Sequence, residues 1–108
     1  MRSKRACESK NMIAKIHSAD GRKIVAICDS GILGKKFEEG ESQLDLTGDF
    51  YKGKEMSEEE ITEIVKHAFV INLAGEESVA LGIRLGIISE ENVSIVGGIK
   101  HAQSMVTD

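Results

Sequence analysis

The segment with the clearest potential for chemistry covers residues 97–103 and reads Gly-Gly-Ile-Lys-His-Ala-Gln. Gly97 and Gly98 permit close approach of a ligand or another backbone, and His101 and Gln103 fall on the same side of a strand. An imidazole that titrates near neutral pH, placed beside a carboxamide, can bind a polar ligand or transfer a proton. The alternative is structural, with His101 and Gln103 hydrogen-bonded to backbone groups across the sheet.

Asn72 and Glu76 form the second pair of candidate residues. The hydrophobic spacing predicts Asn72 at the core-facing end of a helix, where an amide must find hydrogen-bond partners. Asn72 then either holds the turn between two helices by binding loop amides or lines a pocket with Glu76. The candidate ligand-binding or partner-binding residues are therefore His101, Gln103, Gly97, Gly98, Asn72 and Glu76.

Cysteine and aromatic side chains are assigned to the core. Cys28 precedes Asp29, but no histidine is near it in sequence, which favours a buried cysteine at a strand end. Phe37, Phe50 and Tyr51 are of the type that stacks on bases. Because they stand among many carboxylates, we expect them to pack in the core instead.

Signatures of common enzyme and metal chemistry do not occur in the sequence. Gly97-Gly98 lacks the spacing of a phosphate-binding loop or a dinucleotide fingerprint, and neither Gly-x-Ser-x-Gly nor His-Glu-x-x-His is found. His17, His67 and His101 lie on separate predicted elements, which gives no local metal clamp. The sequence predicts no metal and no cofactor, and it leaves open whether the protein is an enzyme.

Length and charge limit the chain to one small domain with little capacity to bind nucleic acid. It has 108 residues, a mass of 11.7 kDa and a formal net charge of −4. Residues 1–10 contain four basic residues and one acid, whereas residues 38–63 contain ten carboxylates and two lysines. An acidic body of this kind repels a phosphate backbone, so it offers no broad nucleic-acid-binding surface.

Hydrophobic alternation predicts a sheet that begins with a hairpin. The turn dipeptide Asp20-Gly21 joins strands over 12–17 and 23–28. Further strands are predicted over 43–46, 93–96 and 101–106, with an edge strand within 50–56. The strand over 93–96 is expected to be buried, and Gly97-Gly98 ends it.

Two helices are predicted between these strands. Ser57 and Glu60 have the spacing of a capping box, and apolar residues at steps of three and four extend the first helix to about Leu73, with Gly75 as its stop. A second helix is predicted over about 76–85, capped by Gly86. The expected fold class is α+β, a two-layer sandwich in which a mostly antiparallel sheet carries two main helices on one face.

The first residues are predicted to stand apart from the domain. Residues 1–11 form a flexible basic N-terminal extension and residues 12–108 a single α+β domain, because the first segment has no apolar periodicity. The longest apolar run is shorter than the ~18 residues that span a bilayer, and the charged N-terminus lacks the apolar stretch of a signal peptide. We therefore expect a cytoplasmic protein without membrane contact.

Five short motifs cover residues 12–17, 25–29, 33–40, 72–76 and 97–103. Together and in this order they resemble the archaeal Domain of Unknown Function 424 family. The resemblance implies a two-layer α/β sandwich from an archaeal cytoplasm, and the family has no established activity. A proline usually precedes the histidine of the last motif in this family, but Lys100 stands there in this chain. Family members also tend to begin near Met12, so residues 1–11 resemble an extension or a misassigned start.

Two hypotheses of function remain open. The first is a non-catalytic binding module that works with translation or RNA-related machinery and has a protein or ribonucleoprotein partner. The alternative is a small-molecule-binding protein or enzyme with a site around His101, Gln103, Asn72 and Glu76. Convergence of these four side chains on one concave site would favour the alternative.

Overall fold

A computed structural model describes residues 12–105 of the chain, so the predicted extension over residues 1–11 lies outside the described residues. Within this range the chain forms eight strands and two α-helices, with short 3₁₀ turns at Ser30–Ile32 and Glu90–Asn92. The helices are α1 (Glu58–Val65) and α2 (Glu76–Arg84). The strands are β1 (Met12–Ala19), β2 (Arg22–Asp29), β3 (Lys36–Glu39), β4 (Ser42–Asp45), β5 (Lys54–Met56), β6 (Val70–Ala74), β7 (Ser94–Val96) and β8 (Ile99–Met105).

The main sheet is mixed. Its six strands follow the order β5-β1-β2-β6-β8-β7, and β3 pairs with β4 in a separate two-stranded sheet. The central strands β2 and β6 are parallel, whereas each of the other neighbouring pairs is antiparallel. The α+β prediction is confirmed. The predicted mostly antiparallel sheet is instead mixed, because its two central strands are parallel. Because parallel strands need a crossover, a long segment containing α1 connects β2 to β6.

The predicted first hairpin is confirmed. β1 and β2 pair along their whole length, with His17 opposite Ile24 and Met12 opposite Asp29. Asp20 and Gly21 have φ angles of 55° and 76°, the left-handed values that a two-residue type I′ turn requires. The predicted edge strand within 50–56 is also found, as β5 against the first residues of β1.

The first helix is shorter in the structure than the sequence predicts. Its capping box is correct: Ser57 Oγ accepts from the amide of Glu60, and the Glu60 carboxylate accepts from the Ser57 amide. However, α1 ends at Val65, and residues 70–74 form β6 in the middle of the sheet. A strand covered on both faces is apolar almost throughout, so Ile71 continues the helical spacing of α1 by coincidence.

Both helices pack on one face of the main sheet, as predicted. We call this the helical face, and its core joins helix residues to sheet residues from β1, β2, β6 and β8. On the opposite face, which we call the hairpin face, β4 and the loop after it bury Leu44, Leu46 and Tyr51 against Ala26 and Ala74. The two-layer description is therefore not confirmed, because the β3–β4 hairpin forms a partial third layer. None of the helices in the described range is long and apolar enough to cross a membrane.

The strand predicted over 93–96 is an edge strand and is only partly buried. β7 pairs with β8 alone, and Ile95 is 57% exposed while Val96 is buried. Apolar composition indicated the strand correctly but not its position, because a short apolar run reads alike at the centre and at the edge of a sheet.

The carboxylate of Asp29 joins the end of β2 to the start of α2. It accepts hydrogen bonds from the amides of Glu77 (3.0 Å) and Ser78 (2.8 Å) and from the Ser78 hydroxyl (2.8 Å). A carboxylate in this position satisfies unpaired amides of the first helical turn and lies favourably in the helix dipole. Gly75 is thus the residue before α2, not the stop of a helix that reaches it from α1.

Gly75 should be far less replaceable than Gly86, another glycine with positive φ. At Gly75 φ is 107° and ψ is 161°, and an added Cβ would lie 2.3 Å from Cγ of Asp29. At Gly86 φ is 77° and an added Cβ meets nothing within 4 Å. Backbone strain costs about 1–3 kcal/mol at either position, so urea unfolding should show Gly86→Ala losing about that much and Gly75→Ala clearly more. Equal losses would mean that the contact with Asp29 does not matter.

Candidate functional site

The part of the hairpin face that β3 and β4 leave open forms a cleft of about 410 Å³. We call it the amide cleft, because two asparagines and a glutamine lie in its wall. The antiparallel register places Asn72 of β6 opposite Gln103 of β8, and His101 of β8 opposite Ser94 of β7. Directly opposed residues of neighbouring strands share a face of the sheet. The cleft is lined by Tyr51, Asn72, Asn92, Ser94, His101, Ala102 and Gln103.

Three of the six predicted site residues meet in this cleft. Asn72, His101 and Gln103 line it together, although Asn72 belongs to a central strand and not to a helix end as predicted. Glu76 does not join them, because it begins α2 and its carboxylate pairs with Lys100 at 3.1 Å.

Gly97 and Gly98 also lie outside the cleft. They form the turn between β7 and β8, with φ angles of 57° and 84°. The amide of Gly97 donates to the carboxylate of Glu39 (2.9 Å), and a Cβ at this position would lie 3.3 Å from Cβ of Phe37. Gly97 therefore permits the close approach of the β3–β4 hairpin, whereas a Cβ at Gly98 would meet nothing within 4 Å.

Asn92 accepts hydrogen bonds from the amide and hydroxyl of Ser89, but four other polar side chains of the amide cleft lack such partners within residues 12–105. Among the described residues, the side chains of Asn72, His101, Gln103 and Ser94 make no hydrogen bond to one another or to the backbone. The expectation that Asn72 holds a turn is therefore wrong, and so is backbone bonding of His101 and Gln103 across the sheet. Their donors and acceptors are available to a ligand.

Tyr51 forms the buried wall of the cleft. Its side chain is 9% exposed, and burial, together with the nearby Cys28 thiol, raises the pKa of the phenol to about 12. Burial likewise raises the pKa of Cys28 to about 12. Both groups are therefore neutral at physiological pH, and Cys28 is a core residue, as expected from the sequence.

An aromatic stack adjoins Tyr51. The Phe50 ring meets Tyr51 edge to face at 5.2 Å between centroids, and His17 stacks on Phe50 at 4.7 Å. His17 Nε2 donates to the carbonyl of Phe50 (2.8 Å), which holds this loop against β1. Phe50 is 42% exposed, although the sequence predicts it in the core. The missed signal was the adjacent pair Phe50-Tyr51, one ring of which must face outward when the other is buried.

The charge of the lining limits the ligands that fit the amide cleft. No carboxylate, lysine or arginine lines it within the described range, and His101 is its single imidazole. Carboxamides, a hydroxyl and an imidazole offer donors and acceptors without a formal charge. Such a wall selects for an uncharged polar group. Elsewhere in residues 12–105, no cluster of three or more His, Cys, Asp or Glu residues could hold a metal ion.

Comparison with known proteins identifies relatives without an assigned activity. Residues 16–106 match the family described as "Protein of unknown function (DUF424)". Among solved structures, an uncharacterized conserved protein from Methanopyrus kandleri superposes with a TM-score of 0.73 at 24% identity, covering 90% of this chain and 94% of the other. This similarity shows that the fold is shared. No curated protein matches the sequence.

Truncation of the cleft side chains should change the free energy of unfolding very little. Asn72→Ala, His101→Ala and Gln103→Ala should each cost less than about 1 kcal/mol of unfolding free energy, because none of these side chains loses a protein hydrogen bond. Leu73→Ala is the matched control in the same strand: Leu73 is buried on the helical face, and its truncation should cost about 2–5 kcal/mol. Chemical denaturation measures all four. A loss at Asn72 as large as that at Leu73 would make Asn72 structural.

Tyr51 should ionise late, and the chain offers a direct readout because Tyr51 is its single tyrosine. Absorbance near 295 nm should give a midpoint close to pH 12 in the folded protein and close to the ordinary value of 10 in denaturant. Because folding raises the pKa of the Tyr51 phenol, the contribution of the neutral phenol to folding stability is complete below pH 10 and is lost as the pH rises towards 12. Tyr51→Phe should reduce this alkaline loss of thermal stability. Equal midpoints in the folded and denatured protein would contradict the burial of the phenol.

Proposed function

The chain belongs to the DUF424 family of proteins of unknown function, and we propose that it is a binding module whose amide cleft receives an uncharged, planar, hydrogen-bonding ligand of the nucleobase class. The observation that carries the proposal is the convergence of Asn72, His101 and Gln103, none of which is bonded to a described residue, on one cleft. Asn72 and His101 are half-buried and Gln103 is exposed, so their donors and acceptors are accessible to a ligand from solvent.

The chemistry of the cleft supports a nucleobase. Asn and Gln side chains present a donor and an acceptor side by side, which matches the paired donors and acceptors on the edge of a base. The volume of about 410 Å³ falls in the range of small-ligand sites, about 300–1,000 Å³. Tyr51 adds a buried aromatic side chain to the wall of the cleft.

The charge distribution is consistent with contact to a base and not to a phosphate backbone. The carboxylates of residues 38–63 repel phosphate, while the lining of the cleft carries no lysine or arginine. If the partner is an RNA or a ribonucleoprotein of the translation machinery, the contact that we propose is one unpaired base. In the same proposal the protein works in an archaeal cytoplasm, which the resemblance to an archaeal family supports.

The proton-transfer alternative is less well supported by this geometry. It requires Glu76 beside His101, whereas the Glu76 carboxylate pairs with Lys100 outside the cleft. His101 is thus left with amides and hydroxyl groups as its neighbours, which suit hydrogen bonding better than general acid–base catalysis.

Titration with nucleosides tests the proposal. Isotope-labelled protein is titrated separately with adenosine, guanosine, cytidine and uridine while NMR follows each backbone amide. At least one nucleoside should shift the resonances of residues 72, 101 and 103 more than those of the helical face. Asn72→Ala and Gln103→Ala should each weaken binding about tenfold, since a bidentate amide contact to a base contributes about 1–3 kcal/mol.

Gln43 provides the matched control for Gln103. It is an exposed glutamine on β4, outside the amide cleft, so Gln43→Ala should bind with unchanged affinity. His101→Ala should also weaken binding, and His67→Ala is its matched control, because His67 follows α1 and lies outside the amide cleft. The proposal is wrong if no nucleoside shifts the cleft resonances, or if the control variants weaken binding as much as the cleft variants.

A further inference from the structure

A groove runs from the helical face to the edge of β1, and basic residues of this acidic protein collect along it. Three adjoining concavities follow one another, sharing Ile16 at the first junction and Lys23 and His67 at the second. We call them together the basic groove. Its volume is about 440 Å³ at the edge of β1, 230 Å³ in the middle and 440 Å³ beside Phe69. Six cationic residues line it: Lys15, Arg22, Lys23, Lys52, Lys54 and Lys66.

Ion pairs with carboxylates do not explain why these cationic residues lie together. Residues 12–105 hold ten lysine and arginine residues, so the basic groove takes six of them. The single carboxylate in its lining is Glu63, which pairs with Lys66 at 3.0 Å. Outside the groove, Lys36, Arg84 and Lys100 have carboxylate partners, which leaves Lys35 as the one described cation there without an ion pair.

The helix dipole explains only a part of the pattern. Lys66 and His67 follow the last turn of α1, where a positive charge is favourable for folding. Lys15, Lys52 and Lys54 line the concavity at the edge of β1, which includes no residue of α1, so the helix end does not explain their positions. Their common property is that they border the same groove.

The floor of the basic groove is aliphatic. Ile16, Val25, Ile64 and Met56 line it, and Ile16 is 42% exposed. The one aromatic residue in the lining, Phe69, is covered by the guanidinium of Arg22, whose Cζ lies 4.4 Å from the ring centroid. A single-stranded nucleic acid needs free aromatic faces on which its bases stack. An aliphatic floor between cationic rims instead matches a peptide that carries apolar and acidic side chains.

We propose that the basic groove is the docking site for an acidic, amphipathic segment of a protein partner. The apolar side chains of this segment pack on Ile16 and Ile64, and its carboxylates face Lys23, Lys54 and the other cations of the rim. The charge complementarity speeds association and disfavours partners of the wrong charge. The inference does not depend on the amide cleft, which lies on the opposite face of the sheet.

Fluorescence anisotropy with a synthetic peptide tests the inference. The probe is a labelled peptide of about ten alternating glutamate and valine residues, a length suited to one extended element, and a lysine–valine peptide of the same length is the charge control. The acidic peptide should bind and the basic peptide should not. Binding should weaken as salt rises, because the contacts are largely exposed ion pairs.

Charge reversal and an apolar substitution locate the site. Lys23→Glu combined with Lys54→Glu should weaken binding of the acidic peptide by about tenfold or more, whereas Lys35→Glu should change it less than about twofold. Ile16→Ser should weaken binding about threefold or more by removing apolar contact. Ile95→Ser is its matched control, because Ile95 is an isoleucine on an edge strand with 57% exposure outside the groove.

Thermal melts establish that every variant is folded. If the charge-reversed protein unfolds, Lys23→Gln combined with Lys54→Gln replaces it, and this variant should also bind the acidic peptide more weakly, by a smaller factor. The inference is overturned if the acidic peptide does not bind, if Lys35→Glu and Ile95→Ser weaken binding as much as the groove variants, or if a labelled oligouridylate binds this groove more tightly than the peptide.

Discussion

The contact between the Asp29 carboxylate and the first turn of α2 is the constraint on which the rest of the structure depends. Asp29 ends β2 and Gly75 follows β6, so this one contact fixes the two central parallel strands relative to each other and to α2. Because the carboxylate occupies the amides of the helix start, an external anion has no access there. With α1 and α2 on the helical face, the opposite face is left for the β3–β4 hairpin and the amide cleft.

The limits of sequence interpretation are clearest at β6. Local signals predicted the Asp20-Gly21 hairpin and the Ser57–Glu60 capping box correctly, because the atoms that define them lie within a few residues of each other. The end of α1 could not be predicted in this way. A central strand buried on both faces has the same apolar composition as a buried helix, and only the pairing of Ala26 with Asn72 and of Asn72 with Gln103 distinguishes them.

Asn72 illustrates why half of the candidate site was predictable. An amide in an apolar run is unexpected whether the run is a helix or a strand, so the chemistry of Asn72 remained informative although its predicted element was wrong. Glu76 was grouped with it by helical spacing, and the grouping failed once a strand end and a helix start separated the two residues. Ser94 reaches the cleft through the register of β7 with β8, and Asn92 lies in the 3₁₀ turn that precedes β7. No short sequence pattern encodes that register.

The two proposed binding surfaces are connected through β1, and the nature of the connection indicates how they should behave. Successive residues of a strand face opposite sides of the sheet, so Ile16 lines the basic groove while His17 stacks on Phe50 beside Tyr51 of the amide cleft. Coupling between two sites requires an element with two arrangements that both ligands bias. β1 is instead held in a single register over its full length against β2. We therefore expect the sheet to separate the surfaces, so that a ligand in the cleft and a partner in the groove bind independently.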